Sequence, residues 1–176
     1  NADGTGMTVL SDEAKKAIEE YHIGGVILFA ENLDTKEQTQ QLTEDLQKAS
    51  DFGLLIGIDE EGGLVSRLNK SNIEHEIFPP AAEIEDAAYA GRTIGKELAK
   101  LGINVDFAPV ADVNTNPDNP VIGTRAFSSD PQAAASKAAE FISALQKMGV
   151  SARAKHFPGH GDTAMDSHLG ETYVEH

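Results

Sequence analysis

Short, mostly apolar runs alternate along the chain with longer stretches in which apolar residues recur every three or four positions, a pattern that predicts strands separated by helices. Val26-Ile-Leu-Phe29, Leu54-Leu-Ile-Gly-Ile58, Ile103-Asn-Val-Asp-Phe107 and the stretch from Val150 to Phe157 read as four strands. A first helix runs from Ser11 to Tyr21, with Ser11 as cap and Asp12 and Glu13 in the first turn, and Gly24-Gly25 stops it. Asp34-Thr-Lys-Glu37 has the shape of a capping box with Asp in the Ser/Thr position, and Leu42, Leu46 and Ala49 mark one face of the helix that follows. A third helix spans about Glu83 to Leu101, carries Ile84, Ala87, Ala88, Ile94 and Leu98, and ends at Gly102. Pro109, Pro117 and Pro120 make the segment from Val110 to Ser129 a long ordered loop, because proline fixes φ and lacks an amide hydrogen. Asp130-Pro131 then opens an Ala-rich helix that ends at Met148-Gly149.

Apolar strands alternating with helices imply a parallel sheet covered by helices. Polar residues collect just after each strand: Glu31-Asn32, Asp59-Glu60-Glu61, Asp112 with Asn114, and the segment from His156 to His168. Those C-terminal strand ends are where α/β folds build their sites. No strand is followed by Gly-x-Gly-x-x-Gly, which disfavours a dinucleotide-binding sheet and leaves an α/β barrel as the expectation.

The charge changes the picture of partners. Against 29 acidic residues stand 14 Lys and Arg, a net charge of −15, and no basic run exceeds the pair Lys15-Lys16. A nucleic acid or an anionic membrane surface would need a clustered cationic footprint, so both are disfavoured as partners. The composition, 40% apolar and 24% charged, is that of a chain able to bury a core, and the length alone suggests one ordinary domain. The absence of cysteine removes disulfides, thiol nucleophiles and Cys-ligated zinc. No apolar run approaches the roughly 18 residues of a membrane span, and Asn1 to Gly6 has neither the charged nor the apolar region of a leader. The expectation is a soluble protein, cytoplasmic or exported.

The densest chemistry lies between Lys155 and His168, which together with His156, His160, Asp162 and Asp166 share a loop shaped by two glycines and a proline. Two chemistries fit it. His156, His160, Asp162, Asp166 and His168 are all admissible ligands of a divalent ion, as in a metal-dependent hydrolase. Alternatively Asp166 and His168, two positions apart, form a proton-transfer pair in which the carboxylate orients the imidazole and supports its protonated form. In the second segment, Asp59, Glu60 and Glu61 repel one another unless a cation engages them, and Arg67 supplies part of that balance. Asp59 directly continues a buried strand, whereas at least one of Glu60 and Glu61 is expected to be a surface charge. Arg125, in the third segment, is either a partner in a surface salt bridge or a guanidinium fork that holds sugar hydroxyls or a carboxylate.

Four motifs in order, Ile-Asp-Glu-Glu-Gly-Gly-x-Val-x-Arg at 58–67, Asn-Val-Asp-Phe-Ala-Pro-Val at 104–110, Ile-Gly-Thr-Arg-Ala-Phe at 122–127 and Lys-His-Phe-Pro-Gly-His-Gly-Asp-Thr-x-x-Asp-Ser-His at 155–168, resemble glycoside hydrolase family 3, and the last resembles its β-N-acetylhexosaminidase branch. The resemblance runs from about His22 onward, with Leu64 a small departure where the branch often has Arg. It implies a (β/α)8 TIM-type barrel and removal of terminal β-linked N-acetylglucosamine from peptidoglycan-derived sugars, with no metal or organic cofactor. It also implies that Asp59, Arg67, Arg125, Lys155 and His156 bind the sugar and that His168, paired with Asp166, is the general acid/base of a retaining mechanism.

A complete barrel needs about 250 residues. By the same resemblance, residues 1–176 are expected to be an incomplete barrel of about four βα units, beginning after the family's first strand and ending before its nucleophilic Asp. Such a chain is expected to be inactive by itself, to act at most as a sugar-binding fragment, and to offer open sheet edges for self-association.

Overall fold

The structure is a computed structural model that describes residues 6–173, so the first five residues of the string Asn1 to Gly6 and the last three residues of the chain lie outside it. In chain order its elements are α1 (Asp12–Tyr21), β1 (Gly25–Ile27), α2 (Lys36–Lys48), β2 (Leu55–Ile58), β3 (Glu60–Gly62), β4 (Val65–Ser66), α3 (Ala87–Lys100), β5 (Val105–Asp106), α4 (Pro131–Gln146) and β6 (Ser151–Ala152). Among the described residues no helix is long and apolar enough to cross a membrane.

The helix starts follow local chemistry. Ser11 Oγ accepts from the Ala14 amide at 3.2 Å and opens α1, and Asp130 Oδ1 accepts from Ala133 at 2.8 Å with Pro131 in the first turn of α4. Three boundaries differ from the sequence reading. α1 ends at His22, which itself takes the left-handed conformation (φ 49°) and donates its amide to Ile18, so Gly24-Gly25 is not the stop. Thr35, not Asp34, caps α2: its hydroxyl accepts from Gln38, while Asp34 is turned toward the Asn72 amide at 2.6 Å. α3 starts at Ala87 rather than Glu83, because Asp86 accepts from the Tyr89 amide and Ala81–Glu83 forms a separate 3-10 turn.

The four long-range strands pair in parallel in the order β1-β2-β5-β6, with Val26 opposite Ile56, Gly57 opposite Val105 and Val105 opposite Ser151. Each helix thus returns the chain to the neighbouring position, with no reversal of strand order. That is the winding of a barrel, and it lacks the switch point of a doubly wound sheet. The core forms where Leu42 and Leu46 of α2, Ile94 and Leu98 of α3, and Phe141 and Leu145 of α4 pack around Ile56 and Ile58. The expectation that Val26 to Phe29 is a buried strand is corrected: Leu28 is buried, but Ile27 is 50% exposed and Phe29 48%, because they share with Leu55 of β2 the sheet face that, among the described residues, no helix covers. The antiparallel β3–β4 hairpin at the exit of β2 was not foreseen.

α3 and α4 lie close because Gly91 and Gly95, one turn apart, face α4. A Cβ on Gly91 would collide with the Phe141 backbone carbonyl, and one on Gly95 would press on Leu145 and Met148. Gly91→Ala gains about 1 kcal/mol of helix propensity, but the obstruction is backbone, which cannot rotate away, and overpacking costs about 1–3 kcal/mol or more. A net destabilisation is expected, seen as a Tm several degrees lower in thermal unfolding. An unchanged or higher Tm would mean that the two helices can separate freely.

Candidate active site

β2 delivers Asp59 to the C-terminal edge of the sheet, and the extended hairpin that follows puts successive side chains on opposite faces. Asp59 and Glu61 therefore point one way and Glu60 the other. Glu60 turns inward, where its carboxylate accepts from the Arg67 amide at 2.9 Å and the Leu68 amide at 3.1 Å, and burial pushes its pKa up. Its own amide donates to Asp106 Oδ1 at 3.0 Å. Asp106 is completely buried, and burial raises its pKa well above its ordinary value. Both Glu60 and Glu61 are buried, at 3% and 7% exposure, which corrects the expectation that one of them is a surface charge.

On the other face, Lys155 Nζ bridges Asp59 Oδ1 at 2.7 Å and Glu61 Oε1 at 2.6 Å. Lys155 arrives from the end of β6, where its backbone pairs with Val110 in a parallel bridge. Each carboxylate also holds its own arginine. Arg67 Nη2 lies 3.0 Å from Asp59 Oδ2, and its guanidinium sits over the Phe29 ring at 5.5 Å. Arg125, from the 3-10 turn Gly123–Arg125, grips Glu61 with two parallel bonds, Nη2 to Oε1 at 2.8 Å and Nε to Oε2 at 2.9 Å. Arg125 is thus a half-buried fork on a buried carboxylate, not a surface pair. Burial alone would raise the Asp59 pKa, but Lys155 and Arg67 outweigh it and hold the carboxyl below its ordinary value. The Arg125 guanidinium is shifted further up by Glu61. Three cations face two carboxylates in this cradle, a surplus of one positive charge.

Beside the cradle, His156 Nδ1 lies 2.6 Å from Asp112 Oδ2, and the Asp112 carboxyl also accepts from the amides of His156 at 3.1 Å and His160 at 2.6 Å. The Lys155–His156 peptide bond is cis. A cleft of about 610 Å³ runs along this loop, lined by Asp112, Lys155, His156 and Asp162 among others. His160 is buried, with Nδ1 on the Thr163 hydroxyl at 2.6 Å and Nε2 on the Ser167 hydroxyl at 3.0 Å. Asn119 steadies the turn by donating to the His160 and Thr163 carbonyls at 2.7 and 2.9 Å. Asp162 takes the Thr115 hydroxyl at 2.8 Å.

Asp166 and His168 do form a pair. Asp166 Oδ1 accepts from the His168 amide at 2.9 Å and lies 2.7 Å from its Nδ1, and the backbone and ring of His168 together lower the Asp166 pKa. The His168 side chain is 81% exposed, and among the described residues no hydrogen bond or ion pair joins this pair to the cradle. The structure therefore brings Asp59, Arg67, Arg125 and Lys155 together with Glu61, sets His156 next to them in the chain, and keeps Asp166 and His168 apart on the loop. The five prospective metal ligands do not converge: they are spread over Asp112, Thr163, Ser167, Thr115 and each other, and among the described residues no three His, Asp or Glu side chains are placed to hold one ion. Glu61 and Asp112 take part in the site although the sequence pattern had marked them only as polar residues at strand ends. Alternation with Asp59 in an extended segment would have revealed Glu61.

The family model described as glycosyl hydrolase family 3 N terminal domain matches residues 5–176. The chain is 43% identical to beta-hexosaminidase A of Pseudoalteromonas piscicida, over 97% of its own length and 30% of that protein's. It is 37% identical to beta-hexosaminidase LpqI of Mycobacterium tuberculosis (strain ATCC 25618 / H37Rv), over 90% of this chain and 42% of that one. Among solved structures, the family 3 beta-N-acetylglucosaminidase from Paenibacillus sp. str. FPU-7 superposes with a TM-score of 0.85 at 42% identity, covering 93% of this chain and 32% of that chain. NagZ from Neisseria gonorrhoeae in complex with N-trifluoroacetyl-D-glucosamine gives 0.86 at 32% identity, covering 96% and 52%. The chain thus spans between about a third and a half of the length of these proteins.

Proposed function

This chain belongs to glycoside hydrolase family 3, and on that premise we propose that it supplies the sugar-binding cradle and the acid/base of a β-N-acetylhexosaminidase that removes terminal β-linked N-acetylglucosamine from peptidoglycan-derived sugars. The observation that carries the reading is the Asp59–Lys155–Glu61 bridge with its flanking arginines. It gathers charges from the ends of two parallel strands and a distant turn into one half-buried rim. Sugar hydroxyls are recognised by such arrays, since every hydroxyl can accept from Arg or Lys and donate to a carboxylate. His156 continues the rim from the same strand end. The names of the relatives, beta-hexosaminidase and beta-N-acetylglucosaminidase, support the choice of sugar.

In the reaction, a carboxylate attacks the anomeric carbon while His168 gives its proton to the departing glycosidic oxygen, so that one C–O bond forms as the other breaks. His168 then takes a proton from water as that water attacks the same carbon and frees the carboxylate. Asp166 supports the imidazolium in the first step and restores it in the second. The attacking group is a carboxylate of the enzyme other than Asp59, Glu61 and Asp112, whose oxygens are engaged by cations or backbone amides, and other than Glu60 and Asp106, which are buried out of reach of a sugar.

The test is release of p-nitrophenol from its β-N-acetylglucosaminide by the complete protein, before and after dialysis against a chelator. Hydrolysis that survives dialysis is expected. A folded protein that releases nothing would overturn the reading, and activity lost to the chelator and restored by a divalent ion would transfer it to a metal-dependent hydrolase.

A further inference from the structure

Asp112 is among the most connected carboxylates of the loop region. Its side chain is 1% exposed and accepts three hydrogen bonds: Oδ2 from the backbone amide and ring Nδ1 of His156, Oδ1 from the amide of His160. It reaches His156 because the pairing of β5 with β6 continues past both strands. Lys155 donates its amide to Pro109, Ala111 donates to Lys155 at 2.6 Å, and the next residue in each chain segment is then opposite the other. From His160 the connection runs on through Nε2 to the hydroxyl of Ser167, which stands between Asp166 and His168.

We propose that Asp112 is the positioning residue that sets the proton of His156 on Nδ1, leaving Nε2 to accept from a sugar hydroxyl, and that ties the loop bearing His168 to the same anchor. This rests on the function proposed above. An ionised carboxylate only accepts hydrogen bonds, so the ring nitrogen facing it must carry the hydrogen. Burial by itself would favour the neutral acid, but the bonds from His156 and His160 outweigh it and hold the Asp112 pKa down.

Asp112→Asn keeps size and shape but turns an amide group toward His156 or His160. Facing His156, that amide can only donate to Nδ1, which moves the ring hydrogen to Nε2 and converts the acceptor for sugar into a donor. In the complete enzyme this variant is expected to raise KM roughly 2- to 10-fold, the range set by one hydrogen bond between neutral groups. In a His156→Ala background the same change should leave KM nearly unmoved. A penalty of equal size in both backgrounds, or a lower Tm with KM unchanged, would make Asp112 a purely structural residue.

The second measurement needs no variant and no turnover. Imidazole ¹⁵N resonances of His156 in the native protein should show hydrogen on Nδ1, and a neutral ring with bare Nδ1 would overturn the proposal even in an enzyme that hydrolyses the glucosaminide. An enzyme with no hydrolysis but with hydrogen on Nδ1 would count against the proposed function alone.

Discussion

His168→Ala in the complete enzyme is expected to slow cleavage about 10²–10⁴-fold for substrates whose leaving group is another sugar, and far less for activated aryl glycosides. A sugar alkoxide is too basic to depart without a proton, whereas a nitrophenolate leaves unaided, so only the first substrate needs the acid in the transition state. The geometry supports the assignment of the proton to His168. Asp166 lies 2.7 Å from its Nδ1 and is bonded to its amide, which leaves Nε2 as the ring atom able to reach a leaving oxygen. Asp166→Asn should show the same dependence on leaving group in weaker form, because the amide preserves size and removes the charge that supports the imidazolium. Equal losses for both substrate types would mean that His168 binds substrate or shapes the loop.

The largest structural effect is expected from Lys155→Met. The ammonium satisfies Asp59 and Glu61 at once, at 2.7 and 2.6 Å, in surroundings where Glu61 is 5% exposed by its side chain. Removing one member of a buried charge network leaves the others desolvated and uncompensated, a loss of about 3–5 kcal/mol. The low end is expected here, because Arg67 still holds Asp59 and Arg125 still holds Glu61. For a domain of this size 1 kcal/mol moves Tm by about 2–4 °C, so thermal unfolding should drop by roughly 6–12 °C. Adding Glu61→Gln should lower stability further, since Arg125 then faces a neutral amide where it had a carboxylate. A double variant more stable than the single one would show that Glu61 is stranded without Lys155 and that Arg125 does not compensate it.

Much of the architecture is legible in the chain because it is written in local patterns. Ser11, Asp130 and Pro131 mark helix starts by their own hydrogen-bonding chemistry, and the apolar runs around Ile56 and Val105 mark strands by their periodicity. What local pattern does not contain is the neighbour across the sheet. Ile27 and Phe29 read as core residues, yet with Leu55 they lie on the sheet face that, among the described residues, no helix covers. Glu60-Glu61-Gly62 reads as a charged loop, yet it is a strand because Val65-Ser66 folds back on it and because Lys155 and Arg125, far along the chain, neutralise Glu61. The individual site residues were visible as chemistry; their division into a cradle, a His156–Asp112 anchor and an exposed Asp166–His168 pair was not. That division depends on the register of Val110 against Lys155, which no spacing within one segment encodes.

The division of labour itself is open to one direct measurement. A mechanism-based fluorinated N-acetylglucosaminyl donor, incubated with the complete enzyme, traps the covalent glycosyl-enzyme, and peptide mass mapping then locates the attached sugar. The account predicts the sugar on a carboxylate outside the set Asp59, Glu60, Glu61, Asp106 and Asp112, because the cradle spends its own carboxylates on Lys155, Arg67 and Arg125. A sugar found on Asp59, Glu60 or Glu61 would contradict it, and would make the hairpin after β2 the source of the nucleophile instead of the wall of the binding site.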